Sequence, residues 1–311
     1  MSICFFSENT HFGKVARTFC NMRTEFAWQC SLNADHQNLG KINDNTYTTG
    51  VVILPKNWNY NIVDVVARIK DNCNKLAFMQ EGANNYWHEW ETDKQETYLK
   101  LLSQADALLC HNKSDINYYA GLLPTKNVLH LQSLMIEDAI PKETRLQLPD
   151  PIIGGNFTRW YGGADSYVIA SQLGENVWAP TMGRRHDNER VINKKVQYLP
   201  FANWSNWMST LSAFKYGVHL MREYAAGTFQ LNCAYFGIPC IGYKNSSTQK
   251  ELHPYTTVEQ GNLVLARKIA RELKQDSDFY ALCSQAAKDY YNKYYSEEAW
   301  HNTEAVKWLI A

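Results

Sequence analysis

No stretch of this chain approaches the run of about 18 apolar residues that a membrane-spanning helix needs, so nothing in it is read as crossing a bilayer. Net charge is lacking too. The 31 Lys and Arg balance 31 Asp and Glu, which removes any global field that would draw the protein onto nucleic acid or an acidic lipid surface. The 8 cysteines contain no Cys-x-x-Cys pair and no His/Cys set at zinc spacing, so a zinc module has no support. The opening Met1-Ser2-Ile3-Cys4-Phe5-Phe6 lacks the basic segment and cleavage site of a signal peptide. Dispersed thiols behind such a start predict a reducing, cytoplasmic setting. Glycine-rich nucleotide loops are also missing. The single Gly13 after the first strand falls short of a dinucleotide fingerprint or a P-loop, which leaves NAD and ATP chemistry unsupported.

What is present is an ordinary globular balance, 45% apolar and 20% charged, over 311 residues, enough for two medium domains. Aromatics are abundant, with 10 Trp and 19 Tyr. Flat side chains in that number either line a ligand cleft, where sugars and bases both stack, or fill cores. Nothing in the sequence sets an oligomeric state.

Short apolar strands alternate with helical runs through the first half. Strands are predicted at Ile3 to Ser7, Gly50 to Pro55, Leu76 to Met79, Ala107 to Cys110 and Val128 to Leu131. Helices are predicted at Lys14 to Met22, Tyr60 to Asn72, Thr97 to Gln104 and after Asp115. Such alternation predicts an α/β fold, a parallel sheet wrapped by helices, with ligands beyond the carboxyl ends of the strands. Residues 141–151 hold three prolines without periodicity and read as an interdomain linker. Residues 1–143 then form one domain and 152–294 a second, with 295–311 a terminal helix.

In the second half, Ile152-Ile153-Gly154-Gly155 runs toward Arg159 and a helix from Ser166 to Leu173. A strand, a doubled glycine and an Arg before a helix make an anion-shaped turn, because the backbone can close on a diphosphate that a guanidinium neutralises. A strand at Val196 to Leu199 and a helix at Met208 to Lys215 precede the stretch 217–242. There an apolar run, Gly217 to Met221, is followed by a polar turn and an amphipathic helix, Thr228 to Phe236. Gly237 suits its C-cap, and Pro239 stops it before a new strand. The free N–H groups and positive dipole at such a helix start favour a phosphate or a ribose hydroxyl. A polar loop spans Lys244 to Thr248, and late helices begin at Leu263, Asp278 and Ser296.

Four places invite a chemical role. Glu81 follows the strand Leu76 to Met79 among Tyr86, Trp87, His88, Glu89 and Trp90. A carboxylate walled by aromatics has its pKa raised toward general-base work; alternatively Glu81 caps a helix and the aromatics pack. His11 is either a cleft residue or a surface cap. Trp204 or Trp207 either stacks on a base or belongs to a core. The dense basic region at Arg184, Arg185, Lys194 and Lys195 is either a phosphate patch or a solvated loop.

The stretch 217–242 resembles the donor-binding segment of GT-B glycosyltransferases, with Gly227, Leu231, Ala234, Gly237 and Pro239 in the places of that family's Gly…Leu-Glu-Ala-Met-Ala-x-Gly-x-Pro pattern. Asn232 stands where the family has a carboxylate, and Glu223 lies one position away from its earlier Glu. Gly154-Gly155 with Arg159 is similar to the Gly-Gly-Ser-Phe-Arg segment of bacteriophage DNA glucosyltransferases, which also place a carboxylate after an N-domain strand, as Glu81 is placed here. The resemblance implies two Rossmann-like domains facing a central cleft, with the C-terminal helix crossing back to the first. It implies transfer of a sugar from a nucleotide diphosphate to an acceptor hydroxyl, with no metal or cofactor beyond the nucleotide-sugar donor. Gly154, Gly155 and Arg159 are then expected at the diphosphate and Trp204 at the base. Arg222, Glu223, Gly227, Thr228 and Asn232 are expected near ribose or sugar. Glu81 serves as base or acceptor ligand if the enzyme inverts; if it retains, no separate base is needed and Arg159 and Arg222 stabilise the leaving diphosphate. His11, Trp87 and His88 lie on the acceptor side. The acceptor implied is a hydroxymethylated base in DNA, a polysaccharide or a lipid. A silent relative that only binds nucleotide sugar or nucleic acid, or a sugar-nucleotide epimerase, would share the fold.

Overall fold

The computed structural model describes residues 2–9, 13–14, 17, 24–59, 61–80, 82–141, 148–155, 157, 161–181 and 195–311. The chain divides into two compact units, 1–136 with 297–311, and 137–296. The predicted helix at Lys14 to Met22 falls almost wholly outside the described residues, as does the basic region at 184–194.

The first unit is built on six parallel strands, β1 (Ile3–Ser7), β2 (Asp35–Asn38), β3 (Tyr47–Leu54), β4 (Cys73–Gln80), β5 (Ala107–Cys110) and β6 (Asn127–His130), in the order β2-β1-β3-β4-β5-β6. Runs such as Val51–Leu54 are buried along their whole length, the pattern of a sheet covered on both faces. Among the described residues four α-helices lie between the strands: α1 (Thr24–Ser31), α2 (Ile62–Asp71), α3 (Thr92–Ser103) and α4 (Asp115–Leu122). In α2 the buried Ile62, Val66 and Ile69 recur at helical spacing and face the sheet. Two short helices near the C-terminus, Glu297–His301 and Glu304–Ile310, belong to this unit. Trp300 is fully buried and donates its indole N–H to the Gln132 carbonyl (3.2 Å), and Thr49 Oγ1 donates to the Leu309 carbonyl (3.1 Å).

The second unit has β7 (Leu148–Ile153), β8 (Val177–Ala179), β9 (Val196–Tyr198), β10 (Phe214–His219), β11 (Cys240–Tyr243) and β12 (Thr257–Val258), all parallel, in the order β12-β11-β10-β7-β8-β9. Its helices are α5 (Gly163–Ala170), α6 (Trp204–Leu211), α7 (Thr228–Phe236), α8 (Ser247–Leu252), α9 (Leu263–Gln275) and α10 (Ser277–Tyr294). The α/β class and the parallel sheets are those expected.

Several expectations are corrected. Leu148 to Pro151 is strand rather than linker. The two prolines are accommodated because this end of β7 is largely exposed and its pairing with β10 carries a register shift between Phe214 and Tyr216. Strand β2 carries no apolar signal. His36 and Gln37 are buried because Ser7 Oγ meets His36 Nε2 (2.9 Å) and Gln37 Nε2 donates to Tyr47 OH (2.9 Å). Helix α3 starts at Thr92, five residues early, and Phe214-Lys215 opens β10 instead of ending a helix. Helix α7 has the expected limits but is buried from Phe229 through Ala234 rather than on one face.

Candidate functional site

In the second sheet the chain leaves β7 for β8 and β9 on one side, then returns to β10 on the other. The crevice beyond the carboxyl ends of β7 and β10 is therefore the topological switch point, where open α/β sheets hold ligands. Two segments meet there. After β7, Gly154 N–H donates to the Val218 carbonyl (2.9 Å), and Gly155 turns the chain at φ +81°. After β10, the loop 220–227 leads into α7. A Cβ added at Gly154 would stand 2.6 Å from Phe229 Cδ1 and 2.7 Å from His219 Cγ. The glycine turn is thus packed directly on the first turn of α7, and only a residue without a side chain allows that approach.

The helix start itself is held without being capped by a side chain. Gly227 occupies the N-cap at φ +80°, a left-handed conformation that glycine adopts without cost. Its carbonyl accepts from Thr248 Oγ1 (2.7 Å), whose hydroxyl is 3.0 Å from Ser246 Oγ. Thr228 is exposed at the first helical position. The result is a fixed helix N-terminus whose partial positive charge faces the crevice.

The wall of loop 220–227 is fixed by α5. Ser166 Oγ accepts from the Leu220 N–H (2.9 Å) and donates to the Gly162 carbonyl (2.9 Å). Asp165 accepts on one oxygen from Arg222 Nε (3.1 Å), Arg222 Nη2 (2.9 Å) and Tyr243 OH (3.1 Å). Asp165 raises the Arg222 pKa further, while burial and then Asp165 push the Tyr243 phenol up to about 12. Asn245 Nδ2 donates to the Arg222 carbonyl (2.7 Å). Asp165, Ser166, Asn245 and Thr248 were not legible as site residues, because each acts from a different element on a loop distant in sequence.

His219 closes β10 beneath α7. Its Nδ1 lies 3.3 Å from Gln230 Oε1, and its Nε2 has no hydrogen-bond partner among the described residues. Burial pushes its pKa down to about 4, so the ring is neutral at neutral pH.

The other expected residues are placed as follows. Gly154, Gly155, Gly227 and Thr228 come together in the crevice, and Arg222 borders it. Glu223 is half-buried in the same loop. Asn232 points into the core, 4% exposed, and accepts from Trp207 Nε1 (3.0 Å). Trp204 is 6% exposed within the buried face of α6, so it offers no ring face to a base; the exposed aromatic of that segment is Phe201. In the first unit, Trp87 is buried and donates to Tyr118 OH (3.0 Å), which also meets the exposed His88 Nε2 (2.8 Å). Glu81, His11 and Arg159 lie outside the described residues. Among the described residues no three His, Cys, Asp or Glu are grouped to hold a metal ion, and no helix is long and apolar enough to cross a membrane.

No family model matches the chain, and no curated protein matches it by sequence. Solved structures do. Anabaena HepE, in complex with UDP and glucose, is 9% identical with a TM-score of 0.67 over 100% of both chains. An α-glucosyltransferase in complex with UDP-glucose and DNA containing an abasic site is 11% identical, TM-score 0.65, again over 100% of both. A TarM variant from S. aureus, bound to UDP, is 10% identical with a TM-score of 0.63, over 86% of this chain and 56% of its own. At these identities the likeness establishes the fold, and that fold is the two-unit α/β architecture of the GT-B glycosyltransferases.

Proposed function

We propose that this protein is a glycosyltransferase that takes its sugar from a uridine diphosphate donor. The observation that carries the reading is the Gly154-Gly155 turn seated on the uncapped start of α7 at the switch point of the second sheet. Backbone N–H groups and a helix dipole there offer a diphosphate fixed partial charges that need no reorganisation when the sugar leaves. The reaction forms a bond from the acceptor oxygen to the anomeric carbon and breaks that carbon's bond to the diphosphate. The diphosphate keeps the electron pair, and the hydroxyl proton passes to a base or to the departing diphosphate.

Arg159 is assigned to the diphosphate in place of a metal ion, and Thr228 to the sugar or ribose. Glu81 takes the acceptor proton if configuration is inverted. That the neighbours bind UDP, glucose or UDP-glucose supports a hexosyl donor. The seven described cysteines are all free thiols, which supports a reducing, cytoplasmic setting. DNA modification, an activity suited to the DNA-bound neighbour, is one acceptor class to be tested.

Titration calorimetry with UDP-glucose, UDP-N-acetylglucosamine and GDP-mannose, paired with UDP release in the presence of EDTA, tests this. The expected result is a UDP-sugar bound and turned over with EDTA present. Arg159→Ala should weaken it roughly tenfold to a hundredfold, the range for losing hydrogen bonds to a charged group. No bound UDP-sugar would end the proposal. Unchanged affinity in Arg159→Ala would remove that residue from the site. Tight binding without turnover onto any acceptor would leave a silent relative, a reading that the commitment of Asn232 to Trp207 favours.

A further inference from the structure

The first sheet has its own switch point. The chain passes from β1 to β2 on one side and to β3 on the other, so the crevice lies beyond the carboxyl ends of β1 and β3. A cavity of about 380 Å³ occupies that place, lined by residues that follow β1, β2 and β3. Its floor is apolar, from the buried Leu39, Trp58 and Ile62.

Most polar side chains at its mouth are amides. Asn57, Asn59 and Asn61 are exposed, and their amides make no hydrogen bond with the described residues. Asn61 immediately precedes α2 yet does not cap it, although asparagine is among the strongest capping residues. The carboxylate of Glu8 stands exposed at the same mouth. An amide both donates and accepts, and a carboxylate accepts from two hydroxyls, so this set matches a ligand rich in neutral O–H groups.

Charge argues against a polyanion. No Lys or Arg is among the described lining residues. Lys56, next to Asn57 in sequence, lies over the Tyr86 ring, its Nζ 3.9 Å from the centroid. The start of α2 brings a partial positive charge, but Glu8 at the mouth and Asp64 in the helix's first turn oppose an anion.

We propose that this cavity binds a neutral carbohydrate as the sugar acceptor, a proposal that rests on the transferase reading above. A phosphate-rich acceptor such as DNA is the competing case. Maltotriose, chitotriose and duplex DNA carrying hydroxymethylated bases are to be offered to the full-length protein. Direct binding is read by calorimetry, and UDP release is read with a UDP-sugar donor. A neutral glycan should bind without donor and raise UDP release, with little dependence on salt. The double variant Asn57→Ala/Asn59→Ala should raise the glycan KM about tenfold, the loss of one to two net hydrogen bonds, with kcat held within about twofold. Both side chains are exposed, so an unchanged melting temperature checks the fold.

Transfer to DNA alone, with a KM that climbs steeply with salt, would overturn the pocket while leaving the transferase intact. A glycan KM unmoved by the double variant would overturn it as well. Glycan binding that depends on Asn57 and Asn59, in a protein that turns over no UDP-sugar, would instead remove the transferase reading and keep the site.

Discussion

Replacing Gly227 by alanine tests the construction of the proposed donor site at its tightest point. The residue sits at φ +80° and ψ +49°, where an L side chain costs about 1–2 kcal/mol. The added methyl would also overlap the hydroxyls of Thr248 and Ser246, which are 1% and 4% exposed and hydrogen-bonded to each other. Relief must break the Thr248 bond to the Gly227 carbonyl, worth about 1 kcal/mol, or shift two buried side chains at a similar cost. The sum is roughly 2–3 kcal/mol, or about 4–12 °C in melting temperature for a domain of this size. Gly121 in α4 supplies the contrast, since an added Cβ there meets nothing within 4 Å and the backbone is not left-handed. Gly121→Ala should stabilise by up to about 1 kcal/mol. Calorimetric melting of both variants, with UDP-sugar titration of whatever Gly227→Ala remains folded, decides the matter. A Gly227→Ala protein as stable as the parent, binding donor equally well, would refute the argument that this helix start is held by the hydroxyl pair.

Two further outcomes follow from buried groups. His219 and His253 are held neutral by burial, with pKa values pushed down to about 4, below the 6.5 of an exposed ring. The unfolded chain therefore takes up protons between pH 6.5 and 4 that the fold refuses, so stability is complete above pH 6.5 and falls as pH drops toward 4. The loss is about 3 kcal/mol per ring at full extent. Urea midpoints at pH 7.5, 6.5 and 5.5 should fall in that order, ahead of most carboxylate titration, and a flat profile would contradict the burial of these rings. Trp207→Phe leaves Asn232 without its indole donor and should cost about 1–3 kcal/mol; an unchanged urea midpoint would show that the pair does not hold α6 to α7.

What the sequence disclosed follows the range of the interactions involved. Val51–Leu54 and Ala107–Cys110 declare themselves as strands because a parallel sheet covered on both faces needs only uninterrupted apolar side chains. Strand β2 does not, since its burial depends on Ser7 and Tyr47, 29 residues from His36 and 10 from Gln37. The Gly-Gly turn and the start of α7 are local backbone features and were visible. The clamp on the loop between them was not, since Asp165 reaches Arg222 across 57 residues and Tyr243 across 78. The burial of Asn232 and Trp204 is hidden in the sequence for the same reason. Their positions in the pattern suit a ligand, but only the packing of α6 on α7 shows that both face the core.

The same distinction explains how a chain 9–11% identical to its structural neighbours keeps their fold over its whole length. Apolar positions in a covered sheet accept any side chain of about the right volume, so their identities can drift without loss of the core. Gly154, Gly162 and Gly227 have no such freedom, because Phe229, the Leu220 carbonyl and Thr248 occupy the space where a Cβ would stand. The two sheets place their crevices by strand order alone, and these few contacts then decide how closely backbone can surround a ligand in the second of them. The shape of that crevice therefore depends on positions where a side chain is excluded, and sequence similarity elsewhere carries little of it.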